Sequence, residues 1–318
     1  MVKYSIIIPV YNAERYLKEC LESCIAQYQG QFELVCVNDG SIDHSSEILH
    51  TYASKYPFIQ VIDKENEGVS VARNVGVASA KGEYIIFLDS DDMLEEHCLE
   101  MLDKIIGNKE YDMLIGRVRV SVNERGEYAT VNNLKDLVNG ESVEKAAAHF
   151  IASYDNLGIW AVWRHVYRRR FLVENHLEFD RRYSFAEDMD FLVKAVLCMK
   201  SYTLLDFPLL VYRIHSASVS GQYSLKSALS NLYVVSYWRE YLAQSKVDQK
   251  EKMVSYFANK QIAMLPHVQH LRKEELAIFF KEYRAHSKYL NTAKGKFKAV
   301  YVASKVVGVE NISQWLGR

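Results

Sequence analysis

The strongest constraint on this chain is an alternation in its first ninety residues: short apolar runs separated by amphipathic helical stretches. Ser5 to Val10, Phe32 to Val37, Ile59 to Ile62 and Tyr84 to Leu88 read as strands, because short continuous apolar runs suit strands covered on both faces. Between them, Leu17, Cys20, Leu21, Cys24 and Ile25 repeat with helical spacing, and Asn12 is the expected N-cap of that helix. Ile48, Leu49, Tyr52, Ala53 and Tyr56 mark a second helix, and Ser70 to Ala80 a third. Strands that alternate with helices and end at Asn, Asp or Gly predict an α/β fold with a mostly parallel sheet flanked by helices. Such sheets bind ligands beyond the carboxyl ends of their strands. Pro9 to Asn12, Asn38 to Ser41, Asn66 to Gly68 and Asp89 to Asp92 are therefore expected to share one rim.

Further along, Asp112 to Val131 reads as strand around a polar turn at Asn123 to Gly126. Helices are expected near Val143 to Ile151 and over Ala186 to Met199. Beyond Ser220 the pattern becomes helical throughout. Leu225, Leu229, Leu232 and Tyr233 share one face, and Leu276, Phe279, Phe280, Tyr283 and Leu290 another. This predicts two parts: residues 1–220, divided near 115 into two halves, and a helical region over 221–318.

A net charge of -1 over 318 residues offers no field that would draw nucleic acid. The exception is the end of the chain, where eight Lys or Arg from Lys281 to Arg318 face only Glu282 and Glu310. With Phe297, Val300, Tyr301, Val306 and Val307 interleaved, this end suits either an anionic membrane surface or packing with its lysines in water. Cys20, Cys24, Cys36, Cys98 and Cys198 are odd in number, with no C-x-x-C pair, and read as buried thiols rather than a disulfide framework or zinc site. The first apolar run is too short for a signal peptide, and no stretch approaches the roughly 20 apolar residues of a membrane span. A cytoplasmic chain, or one peripheral to the inner face of a membrane, is expected.

Asp89-Ser90-Asp91-Asp92 follows the strand Tyr84 to Leu88 directly. Carboxylates at the mouth of a parallel sheet form a hard oxygen site for Mg²⁺ or Mn²⁺, ions that take one or two protein carboxylates and complete their shell with phosphate oxygens and water. The competing reading is that Asp91 or Asp92 caps the helix carrying Leu99 and Leu102.

Four segments then occur in order: Ser5-Ile-Ile-Ile-Pro-Val-Tyr-Asn12, Val37-Asn-Asp-Gly-Ser41, Asn66-Glu-Gly68 with Ala72-Arg-Asn-Val-Gly76, and Phe87-Leu-Asp-Ser-Asp-Asp92. With Glu187-Asp-Met-Asp-Phe191 and Tyr212-Arg-Ile-His-Ser216, they resemble glycosyltransferase family 2, the inverting group with the GT-A fold, over roughly residues 4 to 220. The resemblance implies a sugar transferred from a nucleotide-sugar donor, a UDP-sugar, to a hydroxyl of a glycan or glycolipid acceptor, as in surface polysaccharide or lipid-linked oligosaccharide synthesis. It places Tyr11 against the base beside the Pro9 backbone, Asp39 on the base, Arg73 on the diphosphate, Asp89 on the ribose and Asp91 on a divalent metal. Asp92 shares either of the last two roles. His215 is a metal ligand or a diphosphate contact, and imidazole favours Mn²⁺ over Mg²⁺. Asp188 is the general base, with Glu187 and Trp163 on the acceptor side. The family element carries Gly before its Glu-Asp pair, where this chain has Ala186.

Two other functions compete. A sugar-phosphate nucleotidyltransferase would carry a Gly-rich loop where this chain reads Pro9-Val-Tyr-Asn12. A non-catalytic nucleotide-sugar-binding relic, acting as a partner subunit, would have no need of Asp39, Asp91 and Asp188 together.

Overall fold

A computed structural model describes residues 2–27, 31–132, 137–153, 160–215 and 224–317. Its strands are β1 (Tyr4–Val10), β2 (Phe32–Asp39), β3 (Ile59–Lys64), β4 (Tyr84–Phe87), β5 (Met93–Leu94), β6 (Met113–Gly116), β7 (Val118–Asn123), β8 (Tyr128–Asn132), β9 (Val166–Arg168), β10 (Tyr202–Leu205) and β11 (Leu210–Ile214). Its helices are α1 (Leu17–Ile25), α2 (Ser45–Lys55), α3 (Val69–Ser79), α4 (Cys98–Ile106), α5 (Val143–Ser153), α6 (Arg169–Glu174), α7 (Glu187–Cys198), α8 (Leu225–Gln244), α9 (Lys250–Ala263), α10 (Lys273–Ala285), α11 (Gly295–Val307) and α12 (Val309–Leu316). Contacts divide the chain into two compact units. The first holds residues 1–143, 161–181 and 194–216; the second holds 144–160, 182–193 and 217–318. The boundary expected near residue 220 lies outside the described residues.

In the first unit a seven-stranded sheet runs β10-β6-β9-β4-β1-β2-β3. Every neighbouring pair is parallel except those of β9, which is antiparallel to both β4 and β6. The expected apolar runs form its centre: Ile6, Ile7, Ile8, Leu34, Val35, Cys36, Val37, Ile85, Ile86 and Phe87 are fully buried. At about 25 cal/mol per Å² of apolar surface, burial of this kind is the main stabilising term. Gly76 lets α3 lie close on β1, since a Cβ there would collide with the Ile7 side chain. A second sheet, β5-β11-β7-β8, was not foreseeable from periodicity: β5 is two residues long, and β11 pairs antiparallel with β5 and parallel with β7. The expected strand over Asp112 to Val131 is three strands, with the hairpin turn between β7 and β8 at the expected place.

The second unit is helical among its described residues. Leu232 of α8, Ala258 and Ile262 of α9, and Phe279, Phe280 and Tyr283 of α10 share one core with Leu290 and Ile312. Leu290 joins that core from a separate 3₁₀ turn, because α10 ends at Ala285. No helix among the described residues is long and apolar enough to cross a membrane.

Candidate active site

β1, β2 and β4 are parallel neighbours, so their carboxyl ends open on one edge of the large sheet. Pro9 is buried in β1 opposite Val37, and Tyr11, just past the strand, leaves half its surface in water. Asn12 does not cap α1. That helix begins at Leu17 behind Tyr16, and no side chain caps it. Instead, Asn12 sits in the left-handed region, its N–H donates to Ser41 Oγ, and its Oδ1 accepts from the Ile42 N–H. Ala13 N–H to Ser45 Oγ, Glu14 N–H to Asp43 and His44 N–H to Glu14 complete a lacing between the loops after β1 and β2. A short polar side chain can reach across to a neighbouring loop as readily as down onto a helix, and here the cross-loop partners win.

Asp39 ends β2 and is 3% exposed. Its Oδ1 accepts from Lys64 Nζ at 2.7 Å and the Glu67 N–H at 3.0 Å, and its Oδ2 accepts from the Gly68 N–H at 2.8 Å. A carboxylate has about four acceptor positions. Three of them hold the loop before α3, leaving room for one further donor on Oδ2. Gly40 follows at φ 70°, where a Cβ would crowd the Asn66 backbone.

Arg73 is no surface arginine. It is 3% exposed on α3, donates to Asp89 Oδ1 at 2.8 Å and lies 5.2 Å from the Phe179 ring. Its neighbour Asn74, which the sequence reading passed over, exchanges two hydrogen bonds with the Phe179 backbone, at 2.8 and 2.9 Å. Those bonds bring the Phe179 ring to the guanidinium.

The three carboxylates after β4 have different environments. Asp91 is half-buried, and burial, followed by the charge of Asp89, raises its carboxyl above the usual range against the pull of His215. Asp92 is fully buried, and burial, then Asp91 and Asp89, push it well above that range. It accepts the Arg213 N–H at 2.8 Å, tying the acidic loop to β11. Neither residue caps α4, whose N-cap is His97. Asp92 is fully enclosed, while the Asp89 and Asp91 side chains are each about a third exposed, at 30% and 34%.

His215, just past β11, brings Nε2 to 2.9 Å from Asp91 Oδ2, and its ring centroid lies 4.6 Å from that of Tyr16. Its Nδ1 is buried with no hydrogen-bond partner among the described residues. Arg213 braces the same loop: Nε donates to the Asp91 carbonyl at 3.0 Å, and a terminal nitrogen bonds Glu19. No group of three or more His, Cys, Asp or Glu among the described residues is placed to hold a metal alone. One carboxylate and one imidazole nonetheless fit an ion whose remaining positions are filled by phosphate oxygens and water. The Asp91 carboxyl is raised by burial first and by the charge of Asp89 second, and a nearby cation would favour its ionised form.

Asp188 and Glu187 lie in the first turn of α7, and Asp188 is partly exposed in the second unit. Ala186, just before them, has φ 66°. That left-handed backbone is costly for any residue with a Cβ, which is the physical reason for a Gly at this place in the family element. Asp190 of the same turn is buried and accepts the Trp238 Nε1–H at 3.0 Å. Trp163 lies in the first unit, 4% exposed, its ring stacked on Tyr212 at 5.3 Å, so one of its faces is covered. Trp160 bonds the Tyr256 hydroxyl within the second unit.

The sequence pattern described as Glycosyl transferase family 2 matches residues 5–172. Among curated relatives, the uncharacterized glycosyltransferase EpsJ of Bacillus subtilis is 32% identical over 217 residues, 68% of this chain and 62% of its own length. The poly(ribitol-phosphate) beta-glucosyltransferase of Bacillus spizizenii is 31% identical over 211 residues, 64% of this chain and 31% of its own length. The chain thus spans less than two thirds of the length of either relative. Among solved structures, S. aureus TarS 1-349 in complex with UDP-GlcNAc superposes with a TM-score of 0.78 at 20% identity, covering 99% of this chain and 90% of that one, a likeness of fold. With more than half its length matched, the chain belongs to glycosyl transferase family 2.

Proposed function

We propose that the chain transfers a sugar, with inversion, from a UDP-sugar to a hydroxyl of a glycan or glycolipid acceptor in the synthesis of a surface polysaccharide or lipid-linked oligosaccharide. The observation that carries this reading is the pairing of Asp91 with His215 beside the buried Arg73–Asp89 ion pair, at the strand ends where Asp39 and Tyr11 also lie. The donor suits that edge. Tyr11 offers a half-exposed ring for base stacking, and Asp39 Oδ2 offers an acceptor for the uracil N–H. Arg73 supplies a planar fork to the diphosphate and Asp89 accepts from the ribose hydroxyls. Asp91 and His215 would hold Mn²⁺ or Mg²⁺. When bound, such an ion supplies positive charge that offsets the negative charge gathering on the leaving diphosphate.

Asp188 takes the proton from the acceptor hydroxyl as its oxygen bonds C1 of the sugar and the bond from C1 to the phosphate oxygen breaks, releasing UDP. An ordinary carboxylate is a weak base, so the proton moves late, in concert with bond formation. The bound UDP-GlcNAc of the TarS neighbour and the glycosyltransferase names of the relatives support a UDP-sugar donor and a polymer acceptor.

The basic end suits a membrane carrying a glycolipid. Val302, Val306 and Trp315 are at least half exposed on α11 and α12, among Lys296, Lys298 and Lys305, while Phe297, Val300 and Tyr301 turn to the helical core. Co-sedimentation with anionic vesicles, lost in Val306→Glu/Trp315→Glu, tests that contact.

The test of the function itself is a screen of UDP-, GDP- and TDP-sugars for thermal stabilisation and for diphosphate release, with Mn²⁺, Mg²⁺ or EDTA. A UDP-sugar stabilises the chain only with a divalent ion, and UDP is released when acceptor is present. Binding without turnover across acceptors would identify a relic, and the absence of any nucleotide-sugar response would overturn the reading.

A further inference from the structure

The second unit contains an open cleft of about 620 Å³ that no part of the reading above uses. This lies within the roughly 300–1,000 Å³ of ligand clefts. One wall is a single stripe of α8: Tyr233, Ser236, Tyr237, Glu240, Tyr241 and Gln244 recur at helical spacing. Opposite stand Glu282 and His286 from the end of α10, and Tyr183 closes one side.

Two features distinguish this cleft from an ordinary helical surface. Tyr237 and Tyr241 are 50% and 49% exposed, with ring centroids 6.1 Å apart and planes within 24°, so they present two near-parallel rings to water. Around them stand directed polar groups: the Tyr233 hydroxyl donates to Glu282 Oε2 at 3.2 Å, His286 Nε2 lies 3.8 Å from the same oxygen, and Glu240 and Gln244 line the stripe. The far wall is also fixed from beneath. The His286 carbonyl accepts from the fully buried Arg239 at 2.8 Å and from Gln261 Nε2 at 2.9 Å.

Exposed tyrosine rings with a rim of carboxylates, amide and phenol match the chemistry of a saccharide. A pyranose presents slightly positive C–H groups on its face and hydroxyls on its edge. The face packs on the negative face of a tyrosine ring, and carboxylate and amide groups accept and donate to the hydroxyls. A diphosphate would meet the carboxylates of Glu240 and Glu282. Two cations lie nearby: Arg182 is 5.7 Å from the Tyr183 ring, and Arg239 is 3.6 Å from Glu240.

The position also fits. The segment carrying Tyr183 is clamped to α8 by Ser230, whose Oγ donates to the Phe185 carbonyl at 2.6 Å and accepts its N–H at 3.3 Å. It then runs straight into Ala186 and the first turn of α7, where Asp188 lies. We infer that this cleft is a saccharide subsite that holds the acceptor glycan, one or more sugar units away from the hydroxyl to be glycosylated. The inference rests on the reading of the chain as a glycosyltransferase with Asp188 as base.

The experiment is saturation-transfer NMR on the full chain with maltotriose, chitotriose and galactobiose as probes. Wild type saturates the ring protons of at least one trisaccharide or disaccharide, and Tyr237→Ala/Tyr241→Ala weakens that binding at least tenfold. Both rings are half in water but also pack edge-on against the buried Trp238, at 5.2 and 5.4 Å, so Glu240→Gln gives a second variant with no change of shape, expected to weaken binding severalfold. No saturation of any probe, or equal binding by the variants, overturns the inference. Self-association of wild type that Tyr237→Ala/Tyr241→Ala abolishes, without saccharide binding, would assign the cleft to a second copy and also overturn it. Thermal stabilisation of wild type by UDP-, GDP- and TDP-sugars, measured alongside with Mn²⁺, separates the two levels: its absence for all of them sinks the glycosyltransferase reading whatever the probes do.

Discussion

His215 Nε2 lies 2.9 Å from Asp91 Oδ2, although 124 residues separate the two in sequence. The short strand β5, next to Asp92, pairs with β11 and so brings the end of β11 to the acidic loop. The two side chains bond each other directly.

Asp91→Ala removes the accessible carboxylate of that pair. It should abolish the UDP-sugar stabilisation expected with Mn²⁺ and lower transfer by at least about 10²-fold, the scale at which lost electrostatic stabilisation of a leaving group shows. Differential scanning fluorimetry with and without EDTA reads the first, and UDP release the second. A full Mn²⁺-dependent shift in the variant would remove Asp91 from the metal site.

Asp188→Asn keeps the shape of the first turn of α7 but cannot take a proton. Donor stabilisation should match wild type while transfer falls by about 10²–10⁴-fold, the usual contribution of a positioned general base. Transfer at the wild-type rate would show that another group accepts the proton.

Ala186 holds φ 66°, a conformation that glycine adopts without cost. Ala186→Gly should therefore raise stability by about 0.5–1 kcal/mol, the relief of the Cβ clash less the extra freedom gained by the unfolded chain. A urea midpoint that falls in the variant would contradict this.

Burial lowers the Lys260 ammonium from its ordinary 10.5 to about 8. The unfolded chain binds that proton up to its ordinary value and the folded chain only below about 8, so stability rises as pH climbs from about 8 to 10.5. Lys260→Met should be more stable than wild type at pH 7 by on the order of 1 kcal/mol, with the difference closing by about pH 10. Paired thermal melts across this range check the sign, and a difference that stays constant with pH would exclude Lys260 as its source.

The large sheet was legible in the sequence because each of its central strands is an unbroken apolar run, and burial on both faces demands that pattern. The rim followed from the same runs, since Asp39 and Asp89 stand directly at strand ends. What stayed hidden depends on partners distant along the chain. Periodicity carries no trace of a two-residue strand such as β5, so the link from Asp92 to Arg213 could not be read. Asn12 looked like a helix cap because its preferred local bond and its actual cross-loop bond use the same short side chain. Asn74 gave one usable signal, its place beside Arg73 in the Ala-Arg-Asn segment, but its partner Phe179 lies 105 residues away. The tyrosine stripe of α8 was half visible: Tyr233 was assigned to the apolar face, while Tyr237 and Tyr241 lie on the solvent side of the same helix.

The lacing of the loops after β1 and β2 bears on the thermodynamics of donor capture. Asn12, Glu14, Asp43 and Ser45 fix that backbone through bonds between the protein's own groups, so little configurational freedom is left to surrender when a nucleotide arrives. Calorimetry of UDP binding should then show a heat-capacity change no larger than the contact area requires, without the excess that accompanies a segment folding around its ligand.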